Sequence, residues 1–312
     1  MRILHVKRTP VAMAPDALAE MQRRYGDTAV VNDFSMGYDI VHFHNRYQKV
    51  DAPAVIQYHS EPGSRVDLNI RIPSLAISQY PAVILDYSMC RIVRNIIDID
   101  NKAYTRTTNA GIRVGYAPSI KGSESKWFDK GYTRTMEILE EVARHRGDFS
   151  YDIITDVPLQ ECLDRKRECN IIIDQCVTPS FHRSALEGLA GWKMVICTTS
   201  GEIDDVTRMV SGAQRIPFEN IAMEDLYNFL MTVDNDKALR VGEANRAWML
   251  KYWNPFTIVK EFDAIYLEVI NAYRNNRRNR HKSQWESRNS FRNNAHGGEV
   301  RRGRREVSKA HS

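Results

Sequence analysis

Short apolar runs alternate with polar loops along the first two thirds of the chain. The runs at 2–6 and 54–58 are bounded by polar residues and are typical of buried strands. Residues 12–25 instead carry apolar side chains at helical spacing and stop before Gly26, a common helix terminator. Further strands are predicted at 29–31, 40–43, 75–78, 82–84, 112–116, 171–173 and 194–197. Strands that alternate with loops and helices predict parallel sheets with right-handed crossovers, and therefore an α/β protein.

The segment 170–197, NIIIDQCVTPSFHRSALEGLAGWKMVIC, predicts one βαβ unit with a carboxylate on its helix. Its two apolar runs suit central strands of a parallel sheet that is covered on both faces. Glu187 lies near the start of the helix between them. Free N–H groups at such helix starts favour anions, so a carboxylate there needs an explanation. A vicinal diol such as a ribose provides one, because an ionised glutamate accepts two hydrogen bonds from it.

These residues resemble the donor-binding half of family 4 glycosyltransferases, which have the GT-B fold. The order IIIDQ, a polar loop and ALEGLAGWKMVICT resembles the strand, loop, helix and strand of that family. The resemblance places Glu187 at the second glutamate of the E-x7-E motif, which holds the ribose of a nucleotide-sugar donor. Pro179 stands where the first glutamate belongs, and the loop between them lacks glycines. The resemblance therefore implies a retained nucleotide site and an altered sugar pocket.

Two segments of the first half, YDIVHFHN and AVIQYHSEP, resemble strand ends in the acceptor domain of the same enzymes. On that match His59 lies at the carboxyl end of its strand, inside the interdomain cleft. An imidazole there can bind a sugar hydroxyl or stabilise charge as the glycosidic bond loosens. The resemblance thus implies His59 as the catalytic residue.

A K-G pair that opens a helix in the family corresponds to Lys130 and Gly131. A lysine beside a helix N-terminus can offset charge on a departing diphosphate, so the resemblance implies that this pair binds the donor. Lys121 and Lys126 lie in the same loop, and the sequence does not decide which lysine reaches the phosphate.

The remaining residues implied by the resemblance follow the strands of the βαβ unit. Ser184 is expected to contact the donor, and Ser200 and Gly201 of TTSGEIDD to offer backbone amides to it. His182 and Glu202 are expected to contact the sugar, with Glu202 in place of the missing first glutamate. For Glu202, a solvated helix start is the competing interpretation.

The chain divides into four segments on this interpretation. Residues 1–108 form an acceptor-side Rossmann-like domain and 109–255 a nucleotide-sugar-binding Rossmann-like domain, and the two face a cleft. Residues 256–273 repeat apolar positions at helical spacing and are expected to cross back to the first domain. Residues 274–312 are predicted to be a disordered basic tail.

Charge is concentrated in that tail. It holds twelve Lys and Arg against three Asp and Glu, a net charge of +9, whereas the preceding residues carry −4. Such a segment can neutralise several phosphates of a polyanion, so DNA is a candidate partner. A solvated tail without a specific partner is the alternative.

Neither a metal nor a membrane is expected. The five cysteines show no paired C-x-x-C spacing, and no run reaches the ~18 apolar residues of a membrane span. His42 and His44 are expected to point to opposite faces of their strand and so not to chelate one metal. The short N-terminal apolar run does not suit a signal peptide, so a cytoplasmic location is expected.

Three functions stay open at this point. The resemblance implies transfer of a sugar from a nucleotide-sugar to an acceptor hydroxyl, with retention and without an obligatory metal or other cofactor. The same chemistry on a hydroxymethylated pyrimidine in DNA, as in bacteriophages, would use the basic tail as a tether. A degenerate GT-B protein that binds a nucleotide or polyanion without transfer is the third.

Overall fold

The computed structural model describes residues 1–8, 13–59, 72–80, 90–106, 109–119 and 122–296. Two parallel sheets organise them, which confirms the predicted α/β architecture. In the first sheet the strands are β1 (Arg2–Lys7), β2 (Thr28–Val31), β3 (Ile40–His44), β4 (Ala54–Tyr58), β5 (Ser74–Ile77) and β6 (Arg91–Val93). In the second they are β7 (Ile112–Tyr116), β8 (Phe149–Ile153), β9 (Ile171–Gln175), β10 (Met194–Cys197) and β11 (Glu219–Asn220).

The strand orders are those of doubly wound sheets. The first sheet runs β2-β1-β3-β4-β5-β6 and the second β11-β10-β9-β7-β8. In each, the chain reverses its direction of winding beside the first strand, and such reversals open a crevice at the carboxyl ends of the strands. The helices are α1 (Ala14–Arg24), α2 (Lys126–Asp129), α3 (Tyr132–His145), α4 (Leu159–Arg167), α5 (Arg183–Ala190), α6 (Gly201–Ser211), α7 (Leu226–Thr232), α8 (Asn235–Tyr252) and α9 (Pro255–His296).

Predicted strands with contiguous apolar runs agree closely with the structure. Strands β4 and β7 have the predicted bounds, and β9 and β10 flank α5 as the βαβ unit requires. The predicted strand at 82–84 lies outside the described residues. Strand β6 was not predicted, because Arg91 and Arg94 interrupt its apolar pattern.

Helix α9 returns to the first domain, as predicted, but extends farther than expected. The Tyr266 hydroxyl lies 2.7 Å from Nδ1 of His42, and the Tyr273 hydroxyl donates to Asp51 at 2.7 Å. Beyond Tyr273, where the sequence predicts the tail to begin, the helix continues to His296. Residues 297–312 of the predicted tail lie outside the described residues.

A buried arginine and tryptophan join α8 and α9 to the strand that ends the first sheet. Trp253 is fully buried and donates from Nε1 to the carbonyl oxygen of Asn95 at 2.8 Å. Arg94 lies over the Trp253 ring and donates to the carbonyl oxygen of Tyr252 at 2.6 Å. One hydrophobic cluster includes residues of both sheets and of α9, so the two halves share buried surface. No helix within the described ranges is both long and apolar enough to cross a membrane.

Candidate functional site

Lys130 and Gly131 form the turn between α2 and α3. Both have left-handed backbone conformations, with φ of 57° and 73°. A Cβ on Gly131 would lie 2.7 Å from a methyl group of Val177, so glycine is needed at that position. The turn directs Lys130 inward, where it is 2% exposed and its Nζ lies 2.9 Å from Oδ1 of Asp174. Lys126 is exposed, and Lys121 lies outside the described residues.

Asp174 is the penultimate residue of strand β9 and is fully buried. Its Oδ2 accepts from the backbone N–H of His182 at 2.6 Å and lies 3.1 Å from that residue's Nδ1. Burial would raise the pKa of this carboxyl, but Lys130 and His182 outweigh burial and hold the pKa below its ordinary value. Asp174 is therefore an ionised anchor for Lys130. The sequence interpretation gave it no role, although an aspartate that ends a buried apolar strand was a visible signal.

Glu187 lies on α5, as predicted, and is buried between two cations. Its Oε2 accepts from Nζ of Lys166 at 2.6 Å, and its Oε1 from Nε of Arg183 at 3.1 Å. Burial would raise its pKa, but these two cations lower it below the ordinary value, so the carboxylate is ionised. Each carboxylate oxygen keeps a second lone pair beside the one that accepts from a cation. The predicted contact to a ribose stays a prediction.

Arg183 links the two halves of the cleft, and sequence reasoning missed it. Besides Glu187, it donates from Nη1 to the carbonyl oxygen of Ile96 in the first domain at 3.2 Å. Together Lys130, Lys166 and Arg183 face two carboxylates, which leaves a formal charge of +1 when His182 is counted as neutral. A net positive crevice at the carboxyl ends of parallel strands suits an anionic ligand.

His59 follows β4 at the edge of the same cleft. Its backbone N–H donates to Oδ1 of Asn45 at 2.7 Å, and its Nε2 lies 2.9 Å from Nδ1 of His44. Burial, together with the positive charge of Arg183, lowers its pKa. The ring is therefore neutral near pH 7, and the structure brings it and Arg183 into one electrostatic environment.

His42 and His44 lie on the same face of β3, so the expectation of opposite faces is wrong. Their ring centroids are 4.3 Å apart, because residues two apart in a strand share a face. His5 joins them from β1, and one ring nitrogen from each of the three lies within 4.8 Å of the others. Two of these rings share a hydrogen bond, because Nδ1 of His5 lies 3.0 Å from Nε2 of His44.

The other predicted donor contacts differ in their surroundings. Ser184 is buried in the first turn of α5, and its hydroxyl has no partner among the described residues. Ser200 instead caps α6, accepting from the backbone N–H of Ile203 at 3.3 Å. Gly201 and Glu202 are exposed at the start of that helix. Ser184 thus has the free hydrogen-bonding capacity that a ligand contact needs, whereas the Ser200 side chain serves the helix.

The two halves meet closely around this crevice. The Ser180 hydroxyl donates to the carbonyl oxygen of Gln79, and the rings of Trp127 and Tyr80 meet edge to face at 5.5 Å. A small cavity beside His59 and Gln57 is lined by residues of the first domain and by Phe262 of α9.

No protein-family model matches the chain, and no curated protein matches it in sequence. Solved structures do match. HepE from Anabaena, in complex with UDP and glucose, shares 14% identity with a TM-score of 0.58, over 86% of this chain and 100% of that one. The sucrose-phosphate synthase of Thermosynechococcus elongatus shares 12% identity with a TM-score of 0.54, over 87% of this chain and 100% of its own.

A third similar structure is AviGT4, a glycosyltransferase of avilamycin A biosynthesis. It shares 11% identity with a TM-score of 0.52, over 87% of this chain and 99% of that one. At these identities the likeness concerns the fold. Two parallel-sheet domains that face a cleft, with a C-terminal helix that crosses back, give this chain the GT-B architecture of glycosyltransferases.

Proposed function

We propose that the chain is a glycosyltransferase that transfers a sugar from a nucleotide-sugar donor to an acceptor hydroxyl. The observation that carries the proposal is the net positive, ion-paired crevice around Asp174 and Glu187, at the carboxyl ends of the second sheet. Among similar folds, HepE is described in complex with UDP-glucose. A diphosphate carries the charge that such a crevice accommodates.

Lys130 and Arg183 are the proposed diphosphate ligands. Both reach the crevice from helix N-termini, and each is held by a carboxylate rather than by solvent. A pre-positioned cation stabilises the charge that develops on a departing diphosphate without further reorganisation. Glu187 would accept the ribose hydroxyls through its remaining lone pairs, and the Ser184 hydroxyl is free to contact the donor.

His59 is the proposed contact to the sugar from the acceptor side. Domain closure would bring it onto a donor held by the second domain and would exclude water from the reacting bond. Retention of configuration and independence from a metal are part of the proposal, because they follow from the resemblance to family 4.

A panel of UDP-, GDP- and ADP-sugars tests this function. We expect the purified protein to hydrolyse one of these donors slowly. Chromatography of the released nucleoside diphosphate measures this hydrolysis. Lys130→Met should reduce this turnover at least tenfold, since a lost charge-assisted contact to phosphate is worth ~1.5–3 kcal/mol. Lys126→Met is the matched control, because Lys126 is an exposed lysine of the same loop. Nucleotide binding without turnover of any donor would favour the degenerate binder instead.

DNA is the second candidate acceptor, and the C-terminal helix favours it. Helix α9 continues to His296, and the side chains of Arg274, Arg277, Arg278 and Arg280 are exposed along it. Between 274 and 296 the sequence has seven Lys and Arg against one Glu. A helix that presents cations without balancing carboxylates suits a phosphate backbone.

Removal of residues 274–312 tests the DNA candidate separately from catalysis. Affinity for duplex DNA should fall, and the slope of log K against log salt should flatten by ~0.9 for each lost phosphate contact. Donor hydrolysis should persist, because the proposed catalytic groups precede the deletion. An unchanged salt slope would exclude the helix as a DNA tether.

A further inference from the structure

Four histidines converge on one face of the first sheet. His5 on β1 is paired in register with His42 on β3, and His44 follows two residues later on the same face. His59 lies just past the neighbouring strand, and its ring centroid is 5.1 Å from that of His44. His5, His42 and His44 are fully buried. Their arrangement follows from strand register, and the proposed function uses His59 alone.

An unbroken chain of hydrogen bonds joins three of these rings, those of His59, His44 and His5, to two helices. Nε2 of His59 lies 2.9 Å from Nδ1 of His44, and Nε2 of His44 lies 3.0 Å from Nδ1 of His5. Nε2 of His5 then lies 2.7 Å from Oε1 of Gln22 on α1. The Gln22 amide nitrogen donates to the Tyr266 hydroxyl on α9 at 3.2 Å. We call this series, from His59 to Tyr266, the histidine ladder.

The Gln22 amide determines which atom donates in each hydrogen bond of the ladder. An amide oxygen only accepts, so Nε2 of His5 carries a proton and its Nδ1 carries none. A neutral imidazole has one N–H, so Nε2 of His44 must donate to His5, and Nε2 of His59 must donate to His44. Burial lowers the pKa of His5 to about 4, which keeps the ring neutral near pH 7. Nδ1 of His59 is thereby left with a lone pair.

That nitrogen is the end of the ladder that meets the cleft. Nδ1 of His59 is buried and has no hydrogen-bond partner among the described residues, and His59 lines a small cavity together with Ile96, whose carbonyl oxygen accepts from Arg183. If the Gln22 amide were rotated, its NH₂ group would donate to His5. Each hydrogen bond of the ladder would then run in the opposite direction, and Nδ1 of His59 would carry an N–H. The positive charge of Arg183, which acts on His59, favours the lone pair over the N–H.

We propose that Gln22, a residue of α1 outside the cleft, determines which nitrogen of His59 carries the proton and makes Nδ1 an acceptor for a hydroxyl group. Gln22 is then a positioning residue, and its importance for turnover rests on the proposed function of His59. Tyr266 shares this role in the proposal: its hydroxyl gives its proton to Nδ1 of His42, 2.7 Å away, and can then only accept from the Gln22 amide nitrogen. Helix α9 thus supports the active side chain through the ladder as well as through packing.

Nitrogen-15 NMR of the histidine side chains at pH 7.5 tests the proton order directly. In the wild type we expect a proton on Nε2 and a bare Nδ1 for His59. Gln22→Met and Tyr266→Phe should give His59 a mixture of both tautomers. Tyr273→Phe, which removes an exposed hydroxyl from the same helix, should change nothing.

Three results would overturn the proposal. They are a proton on Nδ1 of His59 in the wild type, an unchanged tautomer in both Gln22→Met and Tyr266→Phe, and stoichiometric zinc in the purified protein. A zinc ion on Nδ1 of His5 and Nε2 of His44 would displace the proton that these two atoms share. Tyr266→Phe keeps the test decisive if Gln22→Met fails to fold.

Measurements of donor turnover test this proposal and the proposed glycosyltransferase function independently. With an active donor, Gln22→Met should lower kcat/KM by about tenfold, the effect of one lost hydrogen bond, while Tyr273→Phe stays near the wild type. The expected tautomers without turnover of any donor would refute the glycosyltransferase function and leave the proton order established.

Discussion

Replacing Asp174 by asparagine should strongly destabilise the second domain. One carboxylate oxygen accepts from Lys130 at 2.9 Å, and the other from the backbone N–H of His182 at 2.6 Å. Asparagine has the same shape but carries an NH₂ group in place of one carboxylate oxygen. In either orientation this NH₂ faces another donor, the Lys130 ammonium or the His182 backbone N–H. Lys130 is 2% exposed and would keep an unpaired buried charge. Breaking a buried pair in this way costs ~3–5 kcal/mol.

Urea denaturation, followed by far-UV circular dichroism, measures this loss. Lys130→Met should recover much of the stability of Asp174→Asn in the double variant, because it removes the unpaired ammonium. The coupling between the two changes should reach ~2 kcal/mol, within the range of neighbouring groups. Glu137→Gln is the control, since it breaks an exposed ion pair with Arg134 worth at most ~1 kcal/mol. A loss below ~1 kcal/mol for Asp174→Asn would refute the reasoning.

Three further changes test other parts of the structure. If Glu187 binds a ribose, calorimetry should show that the wild type binds UDP about tenfold more tightly than 2′-deoxy-UDP. Glu187→Ala should lose this preference, and an unchanged preference would exclude the contact. Lys166→Met is introduced into both proteins, so that Glu187→Ala does not leave the Lys166 ammonium unpaired. Burial lowers the pKa of His5 to about 4, so as the pH falls below ~6.5 this residue takes up a proton in the unfolded chain before it does so in the folded chain. The free energy of unfolding should therefore drop by ~1.4 kcal/mol per pH unit for this residue alone. Equal urea midpoints at pH 7 and 5 would contradict this. A Cβ at position 242 would overlap a backbone carbonyl oxygen, so Gly242→Ala should lower the stability of the protein by ~1–3 kcal/mol through overpacking. Gly147 has open space around it, so Gly147→Ala should be neutral. A thermal-shift measurement of both variants tests this.

The strands that sequence reasoning located best are the most buried ones. All residues of β4 and β10 are buried, both strands have the predicted bounds, and their apolar runs at 54–56 and 194–197 made them recognisable. Strand β6 was missed because arginines flank its apolar residues. One of them, Arg94, is buried by stacking on Trp253, by its bond to the Tyr252 carbonyl oxygen and by its ion pair with Glu261 of α9. The length of α9 also escaped, since an Asn- and Arg-rich sequence has no apolar periodicity to mark it.

For the site, local sequence located the residues but not their partners. The K-G pair immediately precedes α3, and Glu187 lies in the middle of α5. The ion pairs Lys130–Asp174 and Lys166–Glu187 join separate elements, so no local pattern indicates them. The Arg183–Glu187 pair lies within α5 at i,i+4 spacing and could have been predicted from the sequence. The positions of the two histidines in β3 could have been read correctly from the sequence, because the side-chain period of a strand is two.

The sequence by itself determined the α/β alternation, most of the buried strands, the βαβ unit around Glu187 and the excess of positive charge near the C-terminus. These depend on local periodicity and composition, which each segment carries independently. Only the tertiary structure decided that Lys130 is buried against Asp174, that Arg183 reaches the first domain, and that His59, His44 and His5 share one line of hydrogen bonds. Each of these depends on strand register and domain contact, which bring together atoms that lie far apart along the chain.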